Sequence, residues 1–121
     1  MSLAVLAGIG LVGGLGAIAR MLLDGAISLR AGRAFPWGTL AVNLSGAFAL
    51  GLLVGAAVSG DALRLAGTGF LGAYTTFSTW MLETHRLAED GRGGAATANV
   101  AVSLVAGVLL AWLGRELGAS L

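Results

Sequence analysis

Three small clusters of polar residues stand inside otherwise apolar stretches: Thr39, Asn43 and Ser45; then Thr75, Thr76, Ser78 and Thr79; then Asn99 and Ser103. None of them ionises. Thr39 and Asn43 are four residues apart, as are Asn99 and Ser103, so on helices each pair shares a face. The Asn43 amide offers two N–H donors and one acceptor. Aromatic residues interleave with the second cluster, and aromatic rings present electropositive edges. Neutral donors and ring edges suit a small anion, because conduction needs binding strong enough to admit an ion and weak enough to release it. The competing reading is plain packing, in which each polar contact between membrane helices is worth roughly 0.6 kcal/mol. For a single Ser or Thr that is the commoner role.

Catalysis finds little material. Cysteine is absent, which removes disulfides and thiolate chemistry. Ser78 and His85 are seven residues apart, about 10 Å along a helix, too far for a nucleophile and its base. Glu83 stands at the edge of its apolar stretch and reaches for the interface. Arg20 and Asp24 have the i, i+4 spacing of a helical ion pair.

The elements that position these groups follow from composition. Of the 121 residues, 57% are hydrophobic and 11% charged, with mean hydropathy +0.91. A soluble domain carries roughly 25% charged residues, so a solvated surface cannot be built. Four runs lack any charge: Ser2–Ala19, Ala34–Gly60, Leu65–Leu82 and Gly93–Gly114. Each is near the ~20 residues that cross a bilayer as a helix. The chain reads as a single all-α membrane domain over residues 1–121, with four transmembrane helices near 2–23, 36–59, 62–88 and 94–115. The first run has no basic residue before it, unlike a signal peptide, and is read as a retained helix. Seven arginines against six acids, with no basic cluster, exclude nucleic acid as a partner.

Glycine is abundant, with 21 residues, mostly inside the apolar runs. Gly10 and Gly14, and likewise Gly51 and Gly55, are four apart, a spacing that lets membrane helices approach closely. The third run is different. Gly67-Thr68-Gly69-Phe70-Leu71-Gly72-Ala73-Tyr74-Thr75-Thr76-Phe77-Ser78-Thr79-Trp80 concentrates weak helix formers where the bilayer midplane falls. Two readings stand: a helix broken there to line an ion path, or a continuous helix whose hydroxyls bond back to earlier carbonyls. Four helices cannot enclose a pore alone, so a homo-oligomer or a related partner is expected. Arg20, Arg30, Arg33, Arg86 and Arg92 lie on one side, Arg64 and Arg115 on the other, and the five-to-two bias puts the termini outside.

Three motifs carry a family resemblance. Gly13-Gly14-Leu15-Gly16-Ala17-Ile18-Ala19-Arg20 resembles GGxxGAxxR, and Gly38-Thr39-Leu40-Ala41-Val42-Asn43-Leu44-Ser45-Gly46 resembles GTLxxNxxG. Gly69–Thr79 resembles the third-helix signature GFxGxxTTFST. Together, in order and in the right helices, they resemble the Fluc (CrcB-type) fluoride channels. The resemblance implies an antiparallel, dual-topology homodimer in the cell inner (plasma) membrane, passively exporting fluoride through two pores. A fixed-orientation heterodimer is the lesser possibility. It implies Asn43 as a pore donor, Phe77 and Trp80 as the pore aromatics, and Thr39, Thr76 and Ser103 as pore hydroxyls. Arg20 would attract anions at a vestibule. A break in the third helix would let the backbone carbonyls of Gly72 and Thr75 hold a structural sodium ion at the dimer centre. Two positions depart from the pattern. Trp80 replaces the usual Phe, keeping an aromatic edge and adding an indole N–H donor. Asn99 and Gly107 stand where the fourth helix often carries hydroxyls. Two rivals differ in class: a small multidrug-resistance exporter, which needs an acid that Ser2–Ala19 lacks, and a non-transporting assembly subunit.

Overall fold

The computed structural model describes all 121 residues, Met1–Leu121, as helices joined by short turns, with no strand. In chain order they are α1 (Leu3–Ala31), α2 (Trp37–Gly55), α3 (Gly60–Leu63), a π-helical segment (Arg64–Leu71), α4 (Gly72–Tyr74), α5 (Ser78–Glu89) and α6 (Gly93–Ala119). α1, α2 and α6 are each long and apolar enough to span a membrane. α3, the π-helical segment and α4 run on as one rod. Helical geometry stops after Tyr74, where Thr75 turns to an extended conformation (φ −82°, ψ 160°), and resumes at Ser78.

Local chemistry sets the ends. Ser2 caps α1, its hydroxyl accepting from the Val5 N–H at 3.2 Å, as N-cap serines do. α1 runs on to Ala31, past residue 23 where the sequence reading ends it, and stops at Gly32, whose φ of +78° glycine tolerates. It continues because Asp24 does not mark an interface: it accepts the Ser28 hydroxyl at 3.2 Å and lies against Gly38 of α2. α6 likewise continues to Ala119, beyond residue 115.

The packing is backbone against backbone. Gly51 and Gly55 of α2 face the main chain of Ala111 and Arg115, and Gly114 and Gly118 of α6 face that of Phe48 and Leu52. A Cβ at any of these four would collide with a carbonyl, so α2 and α6 meet through two interleaved glycine pairs. Small residues give membrane helices this approach. On the other side Gly16 of α1 sits against the Phe70 carbonyl, and Gly69 against Ile9 and Val12. Gly10 and Gly14 meet no neighbour within the chain. They face outward because α1 turns Gly13 and Gly16 toward the π-helical segment instead.

Only 16 of 121 residues are buried, and Leu3, Leu11, Val105 and Val108 are among many large apolar side chains left exposed. That surface is untenable in water and natural in lipid. With three apolar spans and a fourth helical passage, this is a multi-pass membrane protein.

A candidate ion site at the helix interruption

Where α4 stops and α5 begins, backbone groups lose their helical partners, and side chains from other helices take some of them. Asn43 of α2 pairs with the main chain of Thr76 in both directions. Its Nδ2 donates to the Thr76 carbonyl at 2.9 Å, and its Oδ1 accepts the Thr76 N–H at 2.9 Å. The Thr76 hydroxyl accepts the Thr79 N–H at 3.2 Å, capping the first turn of α5. Arg20 of α1 donates from Nε to the Ala73 carbonyl at 3.2 Å, placing a cation at the negative end of the α4 rod. That bond explains why Arg20 does not pair with Asp24, the ion pair their spacing suggests: no contact joins them among the salt bridges.

Other backbone groups stay free. The Gly72 and Thr75 carbonyls accept no hydrogen bond within the chain, and the N–H groups of Phe77, Ser78 and Trp80 donate none. The interruption therefore separates two chemistries. Its α4 side presents bare carbonyl oxygens, suited to a hard cation. Its α5 side presents bare N–H groups at the positive end of a 12-residue helix, suited to an anion. Of the Asn43 amide, one N–H remains unspent. The amide donors of α5 have no side-chain signature, which is why residue-type reasoning passes over them.

A cavity of about 360 Å³ opens here, lined by Asn43, Gly72, Thr75, Thr76, Phe77 and Trp80 among others. Six of the nine sequence-predicted site residues thus share one space. Phe77 and Trp80 stand edge to face, with ring centroids 5.7 Å apart at 83°. The Trp80 indole N–H does not point at this space as a free donor, since it donates to the Asn99 backbone carbonyl at 3.1 Å.

The remaining three residues lie apart. Arg20 is on the Ala73 carbonyl, as described. Thr39, one turn from Asn43, donates its hydroxyl to Glu83 Oε1 at 2.5 Å. Glu83 therefore turns inward to α2 instead of reaching for the interface, and joins Arg33, Arg86 and Arg92 in lining a second cavity of about 300 Å³. Ser103 is on α6, its Oγ buried and without a partner.

A family model described as "CrcB-like protein, Camphor Resistance (CrcB)" matches residues 7–115. The chain belongs to the CrcB family. "Fluoride-specific ion channel FluC 2" of Mycolicibacterium paratuberculosis is 55% identical to this CrcB chain over 116 residues, covering 96% of it and 95% of that protein. A protein of Symbiobacterium thermophilum named "Fluoride-specific ion channel FluC 1" is 49% identical, with 91% and 94% covered. "Fluoride-specific ion channel FluC" of Geobacter sulfurreducens is 48% identical, with 88% and 90% covered. These CrcB relatives bear the names of channels, and the family is not one of enzymes.

Proposed function

We propose that the chain is a fluoride-selective channel that lets fluoride leave the cell passively across the plasma membrane. The observation that carries this reading is the set of unpartnered N–H groups at the start of α5, beside the spare Asn43 donor and the Phe77 edge. Fluoride sheds water only where donors replace it. N–H groups fixed in a helix terminus do so without reorganising, and neutral donors release the ion again. Ser103 extends the donor track onto α6, Thr39 gives its only hydroxyl proton to Glu83 and so borders the path without donating to the ion, and the Arg20 charge favours anions over cations near the interruption. The names carried by relatives about half identical support the same ion.

The functional unit in this reading is an antiparallel homodimer with two pores. Phe77 is 71% exposed in the single chain, so a second copy is needed to close a path around its edge. The same pairing brings the Gly72 and Thr75 carbonyls of both copies together, giving four oxygens from two chains. Oxygen ligands suit a sodium ion, which would supply a fixed positive charge that holds the two interruptions against each other. The break in the third helix then sits at the bilayer midplane.

Reconstitution into liposomes tests the reading, with fluoride and chloride efflux followed by ion-selective electrodes. Fluoride release with chloride retained is the expected result, and equal release of both ions would refute it. In intact cells, a single cysteine placed in the 32–36 turn should react from both faces of the membrane. Labelling of every copy from one face would exclude the antiparallel homodimer.

A further inference from the structure

The Ser103 hydroxyl poses a problem of its own. A serine inside a helix ordinarily donates back to the carbonyl four residues earlier, which for Ser103 is that of Asn99. Ser103 Oγ is buried, yet makes no such bond. The Asn99 carbonyl is already occupied. As an interior residue of α6 it receives the Ser103 backbone N–H, and its second lone pair accepts the Trp80 indole N–H at 3.1 Å. A carbonyl has two lone pairs, so no site is left for the hydroxyl.

A second set of bonds holds this arrangement. The Asn99 side chain is 1% exposed as part of its residue, and its Nδ2 donates to Thr84 Oγ1 at 2.9 Å. Thr84 in turn donates its only hydroxyl proton to the Trp80 carbonyl at 2.8 Å. That proton being spent, the amide must present its NH₂ to Thr84, which leaves Oδ1 as the outward atom. Asn99 Oδ1 is buried and unpartnered. Thus an unpaired acceptor and an unpaired donor sit one turn apart on α6, and Trp80 is gripped from both its indole and its backbone.

We infer that Trp80 is a positioning residue for Ser103: its indole N–H, by occupying the Asn99 carbonyl, keeps the Ser103 hydroxyl free to donate to a small anion. The unpaired Asn99 Oδ1 accepts from a water that accompanies the ion. The inference rests on the channel reading above and assigns the indole a task other than touching the ion. Phenylalanine at position 80 would retain the aromatic edge but release the Asn99 carbonyl, and the Ser103 hydroxyl would turn back onto it.

The test is a double-substitution cycle on liposome flux against fluoride concentration, using the wild type, Trp80→Phe, Ser103→Ala and the combination. Trp80→Phe is expected to raise the half-saturating fluoride concentration about five-fold, the worth of one net hydrogen bond. In the Ser103→Ala background the same change should have no further effect. Independent, multiplicative effects would overturn the inference, as would an unchanged half-saturation in Trp80→Phe. A wild type that carries no fluoride would instead overturn the channel reading itself. A spectroscopic arm needs no variant at position 80 to fold: the indole 15N–H resonances of the wild type, with Trp37 and Trp112 assigned by substitution, are followed as sodium fluoride is added. The Trp80 signal should stay at its hydrogen-bonded position. A shift that saturates with the flux would mean direct contact with the ion and would contradict the proposal.

Discussion

The α2/α6 contact and the α4–α5 interruption both bring backbone close to backbone, but they handle its polar groups in opposite ways. Where α2 and α6 touch, both run as unbroken helices, and four glycines merely remove side chains from between the two rods. At the interruption the helix no longer pairs its own groups. Asn43, Thr76 and Arg20 take some of them from outside, and the remainder is left bare. Lipid tolerates bare backbone only where protein or water covers it. The first region can therefore do nothing but hold the fold, while the second has hydrogen-bonding capacity to spend on an ion.

The sharpest way to break this contrast is at Asn43. Asn43→Asp keeps an acceptor for the Thr76 N–H but sets a carboxylate against the Thr76 carbonyl and on the proposed ion path. Repulsion between unit charges about 4 Å apart is roughly 4 kcal/mol in a partly screened site, so fluoride flux should fall on the order of 100-fold or more. Loss of the donated bond should also lower the thermal midpoint. Parent-like flux in liposomes would make Asn43 a packing residue and erase the distinction between the regions.

Gly114→Val tests the other side. Its side chain would meet the Phe48 carbonyl, and overpacking of this kind costs roughly 1–3 kcal/mol. Thermal unfolding should come at lower temperature, while flux per correctly folded protein stays that of the parent. A specific loss of flux at unchanged stability would show that the α2/α6 seam also carries the ion.

These expectations differ in how much of them was readable beforehand. Span count follows from residue types, because apolar runs are properties of side chains, while the expectation that Asn43 shares a site with the Thr75–Trp80 stretch comes from the family resemblance. The Thr75 region left two readings open from sequence. In the structure Thr75 donates back to the Leu71 carbonyl at 3.0 Å, and the chain leaves helical geometry at that same residue. The Gly114 and Gly118 half of the seam has no signal of its own in the sequence, because Gly114 closes the last charge-free run and Gly118 lies beyond Arg115 and Glu116. Arg20 and Asp24 have the right spacing to pair, yet the bare Ala73 carbonyl wins the guanidinium, and no local pattern announces a carbonyl 53 residues away. The same holds for the indole of Trp80, whose partner is fixed only when α5 and α6 meet.

Phe77 offers the most direct test of the claim that the interruption is the ion site. Its ring is 71% exposed in the single chain and contributes little to the fold, so a purely structural account assigns it almost no weight. Phe77→Ile preserves apolar bulk and removes the electropositive edge, a contact worth roughly 1 kcal/mol or somewhat more. Fluoride efflux from liposomes, measured per folded protein beside the thermal midpoint, decides the matter. The account predicts about a ten-fold loss of fluoride flux with an unchanged midpoint; flux equal to that of the parent protein would contradict it.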